Sequence, residues 1–472
     1  MNPDDCVARR HTGWEPPQSP AAQPDRARRS QSSSRQRAVH AGFTRRQFLK
    51  TAAATSAAVA VPYFVPARVL GRASGSGRRW APSERIAVGL IGVGNMGSTH
   101  LPGLLGNAEV QVVAVCDVDA KKRAEARRKV EEHYAAQSAA GTFRGCDDYN
   151  EFEKLLARPD IDAVLIAVPD HWHAIIAIAA CRAGKDVYCE KPLSLTIREA
   201  EEMVRAARRH GTVFQTGSQQ RSESNFRLAC EIVRSGRIGK LTQVNVGVGP
   251  PSSEVYLPEE PVPEGLDWDR WLGPAPWAPY NSERRSGRYS GGGWRWIRDY
   301  SGGMTTDWGA HHYDIAQWGM GMDGSGPVEI IPPKERYAEG IEFIYPNGVR
   351  MYRGGANGIL FTGTDGKVEV NRGYLKTWPD EIGKEPLGPN EVHLYESPGH
   401  VQDWLNCIRT RRRPLCDVAV GASSVTVCHL SNIAYWLERP IKWDPVKHEI
   451  IGDEAASRWL DRPRRAPWRL HL

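Results

Sequence analysis

The 472-residue sequence carries little that points to thiol or metal chemistry. Its nine cysteines stand singly, at positions 6, 116, 146, 181, 189, 230, 407, 416 and 428, without a C-x-x-C pair. That argues against a zinc ribbon and against a thioredoxin-type redox pair. Cys116 and Cys189 fall in strand-like runs, where a thiol is expected to serve as a small buried hydrophobe. No set of His, Cys and carboxylate residues has ligand spacing, and adjacent His311-His312 is too compact to supply one, so no metal is expected. Flavin, haem and iron–sulfur signatures are lacking too. The apolar run Thr51–Val61 falls short of the roughly 20 residues a membrane span needs. Basic residues are in excess only at the N-terminal end. Residues 1–80 hold 14 Lys/Arg against 4 Asp/Glu, which leaves 48 against 51 for residues 81–472. The formal charge of +7 therefore sits in the leader, and no nucleic-acid surface is indicated.

What the leader does contain is specific. Thr44-Arg45-Arg46-Gln47-Phe48-Leu49-Lys50 precedes an alanine-rich apolar stretch that Pro62 and Pro66 end. It resembles a twin-arginine signal, an address carried by proteins that fold before export. Residues 1–42, rich in Ser, Arg, Pro and Gln, show no periodicity and are expected to be disordered. Residues 1–75 are thus read as leader and signal peptide, with cleavage expected between residues 66 and 76. No cysteine follows closely, which argues against a lipid anchor. The expected partner at this stage is the twin-arginine translocase, and the expected destination is the periplasm or the medium, with no permanent membrane span.

From residue 85 the pattern changes to alternating strand and helix. "RIAVGLI" (85–91) is a buried-strand run, and Gly92-x-Gly94-x-x-Gly97 follows directly. Gly92 permits a tight turn, Gly94 lets a pyrophosphate approach the backbone, and Gly97 lets the following helix pack on the strand. The helix N-terminus at Asn95 and Met96 then offers N–H groups to phosphate. A second strand run ends at Asp117, 20 residues past Gly97, where a carboxylate can take the adenine ribose 2′-hydroxyl and repel a 2′-phosphate. This favours NAD over NADP, although Lys121, Lys122 and Arg123 keep NADP open. Pro102-Gly103 is expected to shorten or kink the first helix. Further strands are read at 162–169, 186–192 and in "TVFQTG", with helices at 173–185 and up to Gly211. The expected fold is α/β: an N-terminal doubly wound parallel sheet over residues 81–215.

Glu190-Lys191-Pro192 closes one of those strands, preceded by Gly184-Lys185. "AVPDHWHA" (167–174) and "GGMTTDWGAHHYDIAQW" (302–318) accompany it. In combination these resemble the glucose–fructose oxidoreductase / inositol dehydrogenase (Gfo/Idh/MocA) family, from about residue 84 onward. Pro192 holds Lys191 in an extended turn at a strand's C-terminal end, the edge at which open α/β sheets bind ligands. Asp307 and His311, four apart, should lie about 40° from each other on a helix, with His312 pointing elsewhere. The candidate catalytic residues are therefore Lys191, Asp307 and His311, with His311 as acid–base. Asp307 would orient the imidazole or bind a sugar hydroxyl, and Asp314 is a second candidate partner. The resemblance implies a nicotinamide cofactor held by Gly92, Gly94, Asn95, Met96, Gly97 and Asp117, and by Pro169, His173, Glu190 and Lys191. His171 and His173 are equally readable as capping or supporting residues.

Residues 216–472 read as an α+β domain with a largely open antiparallel sheet. It contains a helix at 225–235, an alternating strand from Lys240, and a hairpin at 357–373 turning at Asp365-Gly366. Helices are expected near 400–413 and 418–438. Seven tryptophans lie between 268 and 318, either stacking on sugar rings or packing a loop core, with Arg295, Arg298 and Tyr300 nearby. The sequence is consequently read as an oxidoreductase acting on a sugar, glycoside or polyol hydroxyl, with tightly bound NAD loaded before export. The resemblance implies a homo-oligomer, dimer or tetramer. Two alternatives remain at this point. One is an NAD-dependent glycosidase working by transient oxidation and elimination, for which no additional base is assigned. The other is a non-catalytic sugar sensor that retains the nucleotide.

Overall fold

The computed structural model describes residues 81–288, 292–335 and 340–470. The leader, its twin-arginine motif and the cleavage region lie outside the described residues. The N-terminal sheet has six parallel strands: β1 (Ile86–Ile91), β2 (Val110–Cys116), β3 (Asp147–Tyr149), β4 (Ala163–Ile166), β5 (Asp186–Cys189) and β6 (Phe214–Thr216). Their order is β3-β2-β1-β4-β5-β6, so the chain reverses direction across the sheet between β1 and β4. A crevice opens at that reversal, beyond the C-terminal strand ends. The strands are apolar runs because helices cover both faces; all four residues of β4 and all four of β5 are buried.

Local signals end the helices. Thr196 Oγ1 accepts from Glu199 N, and Glu199 Oε2 accepts from Leu195 N at 2.9 Å, a reciprocal cap on helix Ile197–His210. Gly211 closes that helix at φ 64°. The first helix runs from Asn95 to Gly106 with Pro102 inside it. Of the two effects expected of Pro102-Gly103, shortening is corrected: a proline lacks one N–H, but packing of Leu101 and Leu104 in the sheet's core keeps the helix going for another turn.

The second sheet contains β7 (Leu241–Val246), β8 (Glu329–Ile331), β9 (Glu342–Ile344), β10 (Arg350–Arg353), β11 (Ile359–Gly363), β12 (Lys367–Asn371), β13 (Tyr374–Trp378), β14 (Ile441–Asp444) and β15 (Glu449–Ile450). Among the described residues it is antiparallel except for the β7–β10 pair. The β11–β12 hairpin turns at Asp365-Gly366 as its sequence dictates. Alternation is plain in β7 and β12, where Val244, Val246, Val368 and Val370 are buried. Helices Ser224–Arg234, Gly309–Met320 and Val418–Leu437 cover that face, placing Phe226, Tyr313 and Leu430 in one core with it.

Late segments return to the first sheet. Helix His400–Thr410 buries Trp404 and Leu405 among residues of β1 and β2, and Thr216 N donates to the Cys416 carbonyl at 2.8 Å. Near the end of the chain, Trp468 packs edge-on against Trp172, with ring centroids 4.7 Å apart. All eight described cysteines are buried and free.

Candidate active site

A cavity occupies the crevice at the C-terminal ends of β1, β2, β4 and β5, with Gly92, Gly94, Asp117 and Lys191 in its wall. The three glycines of the turn beside it are needed for different reasons. Gly92 adopts φ +87°, and a Cβ there would meet the Ala167 carbonyl; a Cβ on Gly97 would meet the Gly92 carbonyl. A Cβ on Gly94 would meet nothing within 4 Å, because that space is the cavity itself. Helix Asn95–Gly106 has no side-chain cap at its start, which leaves first-turn N–H groups available to an anion. Asn95 and Met96 line the cavity at this point. This turn fits a dinucleotide's pyrophosphate.

Asp117 lies at the adjoining end. Its carboxylate accepts from Val93 N and from Asp119 N, each at 2.9 Å. Burial pushes its pKa up against those two hydrogen bonds. Arg123 is turned away from the cavity, donating to Asp148 at 2.8 Å and to the Asp117 carbonyl at 2.6 Å, while Lys122 lines the wall.

At the opposite end Lys191 is the central cation. Its Nζ donates to Asp307 Oδ1 at 3.0 Å and to the Asp307 carbonyl at 3.1 Å, and Arg295 Nε reaches the same Oδ1 at 3.2 Å. Burial alone would raise the Asp307 carboxyl, but the two cations outweigh it and hold it below the usual carboxylate range. An ammonium has three donors, so the third N–H of Lys191 remains for a ligand oxygen. Glu190 is pinned rather than reactive. His100 Nε2 lies 2.7 Å from its Oε1, and Lys191 N donates to its Oε2 at 3.1 Å. Burial works against its charge, and the His100 contact more than offsets that.

The histidines divide. His311 is buried, its Nδ1 has no hydrogen-bond partner, and it is not among the described residues lining the cavity. Burial, with Lys191 and Arg372 nearby, holds its pKa well below the ordinary value, which leaves a neutral imidazole. The helical run divides at Trp308 into Met304–Asp307 and Gly309–Met320. Asp307 and His311 therefore do not share one regular helix, and the Asp307 carboxylate turns to Lys191 and Arg295 instead of the imidazole Nδ1. Asp314 is corrected as a partner for His311: it accepts from Arg221 Nε at 2.8 Å and from Ser424 Oγ at 2.6 Å in the interior. His312 points elsewhere, with Nδ1 on the Gly247 carbonyl at 2.8 Å. The His173 ring lies between the Pro192 and Val168 carbonyls at 2.8 and 2.9 Å, so it ties the loop holding Pro169 to the Glu190-Lys191-Pro192 turn and does not reach the cavity. His171 contacts the Trp271 carbonyl at 3.1 Å.

The stretches 253–288 and 292–300 lie over the cavity. Ala120 N donates to Gly265 O at 2.9 Å, and Asp267 N to Val118 O at 3.0 Å. Arg285 forms an ion pair with Asp119 at 2.5 Å, and Asn95 Nδ2 reaches Gly287 O at 3.1 Å. Of the seven tryptophans, only Trp271 and Trp294 line the cavity. Trp268 stacks on Trp271 at 4.8 Å, Trp318 lies under Arg221, and Trp277 is 68% exposed. Packing is their commoner use. Nothing in the local sequence singles out Asp170 or Arg285; both line the same cavity. Asp170 immediately follows Pro169 and reads locally as an ordinary first-turn carboxylate.

Comparison with known proteins adds three domain matches. "Oxidoreductase family, NAD-binding Rossmann fold" (Gfo/Idh/MocA) matches residues 86–218, "Oxidoreductase family, C-terminal alpha/beta domain" matches residues 250–470, and a twin-arginine translocation signal matches residues 42–62. The inositol 2-dehydrogenase of Salmonella typhimurium is 31% identical over 183 residues, covering 38% of this chain and 50% of that protein. A "Glycosyl hydrolase family 109 protein" of Saccharopolyspora erythraea is 33% identical over 217 residues, 44% of this chain and 45% of its own. The chain thus spans about half the length of these curated relatives. A solved aldose-aldose oxidoreductase from Caulobacter crescentus, complexed with glycerol, matches with TM-score 0.53 at 19% identity over 76% of this chain and 99% of its own. That likeness concerns the fold. The twin-arginine signal directs export in the folded state to the periplasm or beyond, and among the described residues no helix is long and apolar enough to cross a membrane.

Proposed function

This chain belongs to the Gfo/Idh/MocA oxidoreductase family, and from that premise we propose that it oxidises a hydroxyl-bearing carbon of a sugar, glycoside or polyol with a nicotinamide cofactor it keeps bound. The observation that carries this reading is the Lys191–Asp307–Arg295 cluster at one end of a cavity whose other end is a G-x-G-x-x-G turn. When bound, the nicotinamide supplies a hydride acceptor. Gly94 and the N–H groups at Asn95 and Met96 would hold the pyrophosphate, and Asp117 would accept from the adenine ribose. NAD over NADP is supported by Asp117 and Asp119 at the end of the cavity beyond the glycine turn, with Arg123 engaged with Asp148 and Arg285 with Asp119. Tight retention is supported by the stretch 253–288, which fastens over the cavity through Arg285 to Asp119 and Gly287 to Asn95.

In this reading the free N–H of Lys191 donates to the substrate oxygen and stabilises negative charge developing on it. Asp307 and Arg295 fix the ammonium in place. His311, held neutral by burial and by neighbouring cations, is the group proposed to accept the hydroxyl proton as hydride leaves the same carbon, although it stands behind the residues that line the cavity. A homo-oligomer, dimer or tetramer, is supported by half-buried Ile344, Tyr352 and Leu360 on the sheet face opposite the helices.

A second reading is a redox-neutral glycosidase cycle. It is favoured by the likeness to a glycosyl hydrolase family 109 protein and by export, which removes the protein from a pool of free nucleotide. Denaturing the purified mature protein should release NAD in near-stoichiometric amount. Anaerobic mixing with a panel of sugars, polyols and glycosides should produce the absorbance of bound reduced nicotinamide. Nucleotide-free protein, or no absorbance with any of the panel, would overturn the oxidoreductase reading.

A further inference from the structure

One cation near His311 keeps its charge unspent. Arg372 occupies the two-residue turn between β12 and β13, across which Asn371 pairs with Tyr374. Gly373 takes φ 82° there, and Arg372 N donates to Asn371 Oδ1 at 2.8 Å, so the backbone is fixed. The exposed side chain folds back over the half-buried Trp308 indole, with Cζ 4.9 Å from the ring centroid. The same indole meets the His311 ring edge-on at 6.1 Å. With the Gln220 amide oriented so that its nitrogen donates to the His311 carbonyl at 3.0 Å, its oxygen accepts from Arg372 Nε at 3.2 Å. Burial first, then Lys191 and Arg372, hold the His311 pKa down, so both cations stand within electrostatic reach of one imidazole. Lys191 and Arg295 share Asp307, whereas among the described residues no carboxylate forms an ion pair with Arg372. Half-buried Glu223 is its acidic neighbour; burial raises that carboxyl and Arg372 lowers it. A guanidinium carries five N–H donors in a planar fork. Gln220 engages only Nε, which leaves both terminal nitrogens as a parallel pair.

We propose that Arg372 is a specificity-determining residue that takes the carboxylate of an acidic sugar, a uronate or an aldonate, while the reacting hydroxyl lies at Lys191. The inference rests on the oxidoreductase reading above and names its substrate class. Two carboxylate oxygens match the two terminal nitrogens of a guanidinium in a bidentate pair. Gln220 holds Nε and Trp308 supports the guanidinium plane, so the fork is oriented before the ligand arrives and little side-chain freedom is lost on binding. One cation, partly offset by Glu223, suits a single negative charge better than a phosphate dianion. A neutral sugar offers hydroxyls to the same fork and forgoes the charge-assisted pair. The turn that carries Arg372 belongs to the second sheet and Lys191 to the edge of the first, so a ligand held by both spans the two domains beside His311.

The test is isothermal titration of the full-length holoenzyme with D-glucuronate, D-galacturonate and D-gluconate, each against its neutral counterpart, D-glucose, D-galactose or D-glucitol. At least one acid should bind about 10-fold or more tightly than its counterpart, and the ratio should shrink as salt is raised. The two uronates against gluconate separate a ring acid from an open-chain one. Arg372→Gln should abolish the preference, and Arg372→Lys, which keeps the charge without the fork, should leave it intermediate. Because the readout is a ratio within one variant, a general loss of site shape would weaken both members of a pair and leave the preference in place. Wild-type binding of every acid no tighter than its counterpart, no binding of any acid, or an undiminished preference in Arg372→Gln would each overturn the inference. Absorbance of bound reduced nicotinamide with the same sugars separates the two readings. Reduction by neutral sugars with no preference for an acid would overturn the inference and leave the oxidoreductase reading standing. Arg372-dependent binding of an acid with no reduction by any sugar would overturn that reading and leave the carboxylate site standing.

Discussion

At the scale of single residues, the nucleotide turn separates two requirements that one motif conceals. Gly97 serves the fold, because its Cβ would strike the Gly92 carbonyl, whereas a Cβ on Gly94 would strike nothing and project into the open cavity assigned to the proposed ligand. Gly97→Ala should therefore lower unfolding stability by at least about 2 kcal/mol in chemical denaturation. Gly94→Ala should stay within about 1 kcal/mol of wild type and yet purify with little or no nucleotide. Equal nucleotide content in Gly94→Ala and wild type would contradict the assignment of that space to the pyrophosphate. In the proposed reaction Lys191 donates its remaining N–H to the substrate oxygen. Lys191→Ala should slow hydride transfer about 100- to 1,000-fold in stopped-flow absorbance.

At the scale of elements, the helical run from Met304 onward does two jobs on either side of Trp308. Its first turn delivers Asp307 to Lys191, and the longer helix buries Asp314 against Arg221, a side chain 1% exposed. Sequence spacing placed Asp307, His311 and Asp314 together, because four-residue and three-residue separations are neighbours on a regular helix. A break at one residue and a buried arginine contributed by the segment just after β6 rearranged them. Asp314→Ala would leave the Arg221 cation short of its buried partner, which should cost about 3–5 kcal/mol in urea unfolding. The covering segment makes a separate prediction. Arg285→Ala removes the ion pair to Asp119, and nucleotide lost on extended dialysis should increase by about 10-fold, the equivalent of about 1.4 kcal/mol.

At the scale of the whole molecule, the buried histidines set the response to acid. Burial pushes His171 down to about 3, and His312, His400 and His429 to about 4, from an ordinary value of 6.5. An unfolded chain binds protons at these sites from about pH 6.5 downward, while the folded chain resists until about pH 4. Their contribution to stability is therefore complete above pH 6.5 and is lost as pH falls toward 4. Asp307, depressed below its ordinary 3.8, adds a loss only below that value. The urea midpoint should consequently begin to fall just below pH 6.5. A midpoint flat down to pH 4 would show that these imidazoles are not held neutral. The proposed cofactor retention belongs to this scale as well, because the wall closing the cavity is built from the long segment before Met304 and the late chain returns to brace the first sheet.

Much of this was determined by the sequence alone. Period-free apolar runs bounded by glycine, the G-x-G-x-x-G turn, Asp117 and the Glu190-Lys191-Pro192 turn are local patterns, and local sterics and strand burial act on neighbouring residues regardless of what lies farther along the chain. Tertiary structure decided the rest, because it depended on partners remote in sequence. Lys191 finds Asp307 across 116 residues and Asp170 finds Ser301 across 131. Asp314 is claimed by Arg221, and His173 is fixed between two carbonyls rather than facing the cavity. Spacing along a helix can say which side chains share a face, but which of them meets a counter-charge, and which is buried without one, is settled only when separate segments close around the same cavity.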